Sequence, residues 1–242
     1  MIARSALIIA VIAAASACGN PSTPGASSET VTTPPTTSVT ATPSACDELG
    51  GKVGPDQVCT VHTEKSGYTI DMSFPVTYPD QKALAGVLVK QRDQFVKAVE
   101  EPPVRDVPKA LDVTATTYRS ATPATESVVL EEYVNVGGAH PETYYDALTY
   151  DLATKTPVTF ATLFKPSSDP VAVLDPLVKA QWQKLLDGEP VQDNSIGADM
   201  YANFALTDDA VIFFIGQGLW EYEAVGPQQF SIPRSQLASI LA

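Results

Sequence analysis

The sequence predicts an α+β protein in which antiparallel β-sheets pack against two main helices. Three observations carry that prediction. Several short runs alternate apolar and polar residues every second position, the period of a half-buried strand. Two longer runs keep their apolar residues at helical spacing. The strands and helices follow one another without a regular βαβ alternation, which favours antiparallel pairing.

The elements follow in chain order. "GYTIDMSF" places Tyr68, Ile70, Met72 and Phe74 on one face of a strand and Thr69, Asp71 and Ser73 on the other. Pro79 stops it and Asp80 is an N-cap for a helix whose stripe is Leu84, Val87, Leu88, Phe95 and Val99. "PPVRDVP" breaks that helix. "ALDVTATTYRSA", "ESVVLEEYVNV" and "ETYYDALTYDL" read as three strands, with Val128 and Leu130 facing inward. "VTFATLF" is a brief helical corner. Asp169 caps the second main helix with Pro170 in its first turn. Leu174, Leu177, Val178, Trp182, Leu185 and Leu186 keep its spacing, Pro176 predicts an irregularity, and Gly188 stops it. "YANFALTDDAVIFFIG" is a hairpin turning at Asp208 and Asp209, "QQFSIP" a last strand and "RSQLASILA" a closing helix.

The N-terminus reads as a targeting segment over residues 1–17. Arg4 precedes an apolar run from Ala6 to Ala14, too short for a membrane-spanning helix, and Ala15-Ser16-Ala17 lead into Cys18. Small residues directly before a cysteine resemble a bacterial lipobox, in which the thiol is acylated. An ordinary secretory signal cut nearby is the alternative. With the lipobox, the protein sits on the outer face of the cell membrane through diacylglyceryl and palmitate chains on Cys18, and two chains hold where one is marginal. Residues 18–45 are dense in Ser, Thr and Pro, with almost no bulky apolar side chain. They cannot offset their ordering entropy and predict a disordered tether, roughly 30 Å across as a coil.

Of the three cysteines, removing Cys18 to lipid leaves Cys46 and Cys59. In an oxidising compartment a disulfide is the default, contributing on the order of 3 kcal/mol. The alternative, a metal site, finds only His62 nearby, short of the four ligands structural zinc takes. Residues 46–242 suffice for one domain, read as two halves, 46–125 and 126–242. The formal net charge of −13 argues against nucleic acid and suits a cationic partner.

Catalytic motifs are sparse. The nearest approach to a nucleophile elbow is "DNSIG", where Asp193 replaces the first glycine and no apolar strand precedes Ser195. "GQGLWE" carries Glu221 in the place of the third glycine of a dinucleotide fingerprint. No P-loop and no H-E-x-x-H occur, and no metal or cofactor is expected. Glu131 and Glu132 point to opposite faces of a strand and cannot share a substrate. His140, in "NVGGAHPETYY", has two readings. It is a general base oriented by Asp146 or a glutamate, or it is the corner of a hairpin in which Gly137 and Gly138 take positive φ. His62 reads as structural.

The stretches "CDELGGKVGPDQVC", "YPDQKALAGVLVKQRDQF", "VNVGGAHPETYY", "NFALTDDAVIFFIGQG" and "VGPQQFSIPRSQLASILA" together resemble the mycobacterial secreted immunogenic antigen family, the 64 protein of culture filtrates. Residues 126–242 are also similar to the lysozyme-binding ectodomain of RsiV, an anti-sigma factor, through "GGAHPETYY", "YDLATKTPVTFATLF" and the "FALTDDAVIFF" to "FSIP" ending. The resemblance implies an α+β fold with antiparallel sheets and an extracytoplasmic binding module or antigen rather than an enzyme. Its contact surface would be the His140 loop with Tyr144, together with Trp220 and Tyr222 on the loop "GQGLWEYEAVG". Leu219 and Trp220 covering the sheet is the competing reading. Esterase activity has been proposed for some relatives, so a weak ester hydrolase using His140 and an unidentified serine is the alternative function.

Overall fold

The structure, a computed structural model, describes residues 44–100, 107–192 and 197–242. The signal segment, Cys18, nearly all of the tether and Ser195 lie outside the described residues. A short helix α1 (Ala45–Glu48), capped by Ser44, leads into the strands β1 (Lys52–Val53), β2 (Val58–Lys65) and β3 (Tyr68–Pro75). The long helix α2 (Gln81–Val99) follows, then β4 (Lys109–Ala121), β5 (Ala124–Asn135), β6 (Glu142–Asp151) and β7 (Thr156–Val158). A short α3 (Phe160–Leu163) precedes α4 (Pro170–Leu185), the strands β8 (Phe204–Leu206), β9 (Ala210–Ile215) and β10 (Gln228–Pro233), and α5 (Arg234–Leu237).

Strands β1 to β7 form one sheet in sequence order, and β10, β9 and β8 form a second. The fold is α+β with antiparallel sheets, as the sequence predicts. One junction departs from that pattern: β3 and β4 pair in parallel. The chain leaves β3, crosses through α2 and returns as β4, and a crossover of that length is what a parallel neighbour requires. One βαβ unit is therefore present where the sequence pattern gave none. Strand β2 is a further element that the sequence pattern does not predict. Val58–Lys65 pairs residue for residue with β3 across a two-residue turn, in which Gly67 has φ 99°.

The two sheets lie face to face and each main helix covers an outer face. Alternation along the strands builds these layers. On β5, Val128 and Leu130 face α2, where Leu84, Leu88 and Phe95 are buried with Ile70, Met72, Leu111 and Val113. Val129 faces the other way, meeting Phe214 and Ala205 of the second sheet together with Tyr145. On β9, Val211, Phe213 and Ile215 face α4 and pack on Leu174, Val178 and Trp182. Residues Thr125 to Leu130 are buried without alternation because β5 is covered on both sides.

Capping follows the sequence reading. Asp80 accepts from the Ala83 amide at 3.0 Å and Asp169 from the Ala172 amide at 3.2 Å. Helix α4 runs through Pro176. It ends where Gly188, at φ 87°, donates its amide to Gln183 O at 2.8 Å. The expected closing helix shortens to Arg234–Leu237, because the chain then bends so that Leu241 bridges Phe164 and Ile240 is buried. Asp208 does more than close a turn: its carboxylate accepts the Ala121 amide at 2.6 Å, tying the β8–β9 turn to the end of β4. Cys46 and Cys59 form a disulfide, both nearly inaccessible, and it fastens α1 to β2.

Candidate functional site

Two loops singled out in the sequence meet at one end of the sandwich. The first joins β5 to β6. Asn135 Oδ1 accepts the Gly137 amide at 3.1 Å, and Gly137 takes φ 81°, so the chain reverses there; only Gly137 of the expected glycine pair has positive φ. The second loop, residues 216–226, joins β9 to β10. Gln217 donates its amide to Thr143 O at 2.9 Å, and its side-chain Oε1 accepts the Thr143 amide at 3.2 Å. A Cβ on Gly216 would stand 3.3 Å from Leu219 Cδ1 and 3.4 Å from Tyr144 Cδ1, so glycine lets this loop sit closely on β6. Gly218, at φ 72°, leaves room for Glu223, whose Cγ would stand 2.9 Å from an added Cβ.

That arrangement brings Glu223 to His140. Its Oε2 lies 2.8 Å from His140 Nε2, while His140 Nδ1 lies 3.1 Å from Pro141 O. Both ring nitrogens face oxygen acceptors, so satisfying both contacts takes two N–H donors. Asp146, expected to orient the ring, is elsewhere: it lies on the α2 side of β6 and accepts from Gln91 Nε2 at 2.9 Å. Among the described residues no serine or cysteine hydrogen-bonds His140. His62 pairs with its cross-strand neighbour Asp71 at 2.6 Å, which raises its pKa chiefly through that hydrogen bond.

The aromatic residues divide. Tyr222 is 71% exposed and Leu219 is 41% exposed. Trp220, expected as a contact residue, is 1% exposed: its ring packs in the α4 core and its indole N–H donates to Gln192 O at 3.0 Å. Apolar area and the Gln192 carbonyl together hold it inward, so it positions the loop rather than presenting a ring to solvent. Tyr144 is half-buried and its hydroxyl donates to the Glu142 carboxylate. Burial first, then the Glu142 hydrogen bond and the charges of Glu142, Glu132 and Glu223, push its pKa up to about 12. The face is thus acidic around an aromatic center, with His140 as its one basic ring.

Behind this face lies a polar contact that the sequence reading missed. Gln91 is 3% exposed on the stripe of α2, between Leu88 and Phe95. Its amide serves Asp146 and Glu132, which are diagonal neighbours on β6 and β5. Burial, followed by the Asp146 charge, pushes Glu132 up to about 7. Burial likewise raises Asp146. The signal was present in the sequence as a glutamine on an apolar helical stripe, facing acids on two strands.

Among the described residues no group of three or more His, Cys, Asp or Glu is placed to hold a metal ion, and no helix is long and apolar enough to cross a membrane.

The fold defines the class first. Crystal structures of DUF3298 family proteins from Pseudomonas aeruginosa PAO1 and Bacteroides fragilis NCTC 9343 superpose with TM-scores of 0.53 and 0.51. Each is 14% identical and aligns with 78% of this chain, covering 96% and 95% of the respective structures. The family described as "Protein of unknown function (DUF3298)" matches residues 161–235, from α3 to the start of α5. Full-length relatives then narrow the class. Esterase Rv3036c of Mycobacterium tuberculosis H37Rv is 41% identical over 199 residues, covering 81% of this chain and 88% of the relative. Immunogenic protein MPB64 of Mycobacterium bovis and immunogenic protein MPT64 of Mycobacterium tuberculosis are each 39% identical over 201 residues, with the same coverage. The chain belongs to the family of these immunogenic proteins and this esterase.

Proposed function

We propose that this protein is a lipid-anchored, extracytoplasmic binding module, held to the membrane through Cys18 and taking a cationic protein on the face built by residues 136–142 and 216–226. The observation that carries the reading is the junction of two loops from different sheets around the His140–Glu223 pair, with Tyr222 and Leu219 exposed beside Glu142 and Glu223. An exposed tyrosine flanked by carboxylates suits lysine and arginine side chains, through ion pairing and cation–π contact. The net charge of −13 favours the same class of partner.

Binding is tested with lysozyme as a basic protein probe and cytochrome c as a second basic protein. Saturable, salt-sensitive binding of lysozyme that weakens at least tenfold in Glu223→Gln/Tyr222→Ala supports the reading. Equal binding by wild type and variant would remove it. The anchor is tested separately: Cys18→Ala should release the protein from membranes and abolish palmitate labelling, and a variant that stays membrane-bound contradicts the anchor.

A second reading, ester hydrolysis, is favoured by the relative named an esterase. A carboxylate on a histidine is half of a nucleophilic site, and Glu223–His140 supplies that half. Short acyl esters offered to wild type and His140→Ala decide it; equal rates eliminate His140 from any such chemistry.

A further inference from the structure

The contact between α2 and the sheet contains a feature that a purely apolar packing would lack. Gln91 is buried on the stripe that otherwise carries Leu84, Leu88 and Phe95. Its Nε2 donates to Asp146 Oδ2 at 2.9 Å. Among the described residues, its buried Oε1 has no hydrogen-bond partner. A buried carbonyl oxygen without a donor is costly. The two side chains on the N–H side of the amide, Glu132 and Asp146, are acceptors when ionised, so the unprotonated site sets two carboxylates around one amide group.

The register ties this contact to the loop face. Glu132 pairs directly with Tyr144 across β5 and β6, and Leu130 pairs with Asp146. Glu132, Tyr144 and Asp146 therefore lie on one side of the sheet. The charged and titratable groups facing Glu132 are Asp146 and Tyr144 from β6 and Lys90 from α2, with Gln91 between. Through Tyr144 the cluster reaches Glu142 and Glu223, and Glu223 holds His140.

We propose that Glu132, Asp146 and Gln91 form a one-proton clasp between α2 and the sheet, and that losing this proton adds a negative charge behind the loop face and tightens its hold on a cationic partner. The coupling rests on the reading of that face as a cation-binding surface; the clasp itself does not. Two carboxyls in one half-buried site cannot both ionise freely, so the second ionisation is displaced upward. The pKa of about 7 for Glu132 and the upward shift of Asp146 agree with this geometry. With Glu132 protonated one charge remains on the pair, and Gln91 Nε2 keeps its hydrogen bond to the ionised Asp146. Deprotonated, the site carries two charges and the loop face gains one.

The experiment pairs carboxyl ¹³C NMR titration of Glu132 and Asp146 with the affinity of the folded domain for oligolysine across pH 5.5 to 8. Oligolysine keeps its charge over that range, so the pH dependence belongs to the protein. In the wild type one carboxyl of the pair should titrate near neutrality, and oligolysine binding should tighten roughly fourfold toward pH 8 at low salt, the effect of one added charge. In Glu132→Gln the tightening should shrink, with melting temperature at pH 8 equal to or above wild type. Asp146→Asn, which removes the neighbouring charge, should return Glu132 toward the ordinary carboxyl range. Ordinary titration of both wild-type carboxyls with intact oligolysine binding would overturn the clasp alone. A near-neutral carboxyl with no oligolysine binding at any pH would overturn the loop-face reading and the coupling with it. An unchanged pH profile in Glu132→Gln would overturn the coupling and leave the face intact.

Discussion

Under α4, Trp182 packs on Phe230 with ring centroids 4.8 Å apart, and the apolar contact continues through Phe213, Ile215 and Leu174. Under α2, aliphatic contact from Leu84 and Leu88 gives way at Gln91 to an amide between two carboxyls, before Phe95 resumes it. Both helices are amphipathic and both cover a sheet. The α4 contact rests chiefly on shape and apolar area, with Tyr201 donating to Asp175 of α4 at 2.6 Å beside the aromatic core. The α2 contact includes groups whose charge changes with pH. The lesson is that one helix–sheet layer is a fixed support while the other is adjustable, and the adjustable one backs the loop face.

The comparison can be broken most forcefully on the fixed side. Trp182→Ala should lose about 3–5 kcal/mol, since a fully buried indole leaves a large cavity. Urea denaturation measures it, and a loss below about 1 kcal/mol would mean that the α4 layer is not a packed core. The next effect belongs to the disulfide. Replacing Cys46 and Cys59 together by serine should cost about 3 kcal/mol, because the 13-residue separation closes a loop in the unfolded chain. Reducing agent should reproduce the loss in the wild type and do nothing further to the double variant.

The adjustable side shows itself in pH dependence. Glu132 has a folded pKa of about 7 against an ordinary value of 4.5. The folded protein therefore binds this proton more tightly than the unfolded chain does. The contribution is fully present below about pH 4.5 and is lost as pH rises toward and through 7. The melting temperature of the wild type should fall across that window, and Glu132→Gln should flatten the fall; a parallel fall in both proteins contradicts the assignment. The smallest effect is on the surface. Tyr222→Ala should change stability by no more than about 0.5 kcal/mol, while weakening binding of the basic protein probe.

The sequence made the elements legible where local rules decide them. Asp80 and Asp169 marked helix starts, Gly188 marked a stop, and alternation marked β3 and the inward Val128 and Leu130 of β5. The parallel pairing of β3 with β4 was not legible, because alternation is the same in either direction and only the path of α2 decides it. In β5 the inward side of Val128 and Leu130 was legible, but not the burial of Val129 on the opposite side, because that needs a second layer over the sheet. At the loop face, the sequence indicated both loops but not their junction. Glu223 lies far from His140 along the chain, and it reaches the ring only because Gly216 and Gly218 allow the second loop to fold onto β6. Trp220 and Tyr222 look equivalent as sequence, two residues apart on one loop. The acceptor at Gln192 O draws Trp220 inward, and Tyr222 remains outside.

Hydrogen–deuterium exchange of the domain with and without lysozyme tests the central claim most directly, because it reads where a basic protein sits. The account predicts added protection in residues 136–142 and 216–226, absent in Glu223→Gln/Tyr222→Ala, with no change along α4. Protection confined to α4 or to the β1–β2 end of the sheet, with these two loops unaltered, would contradict it.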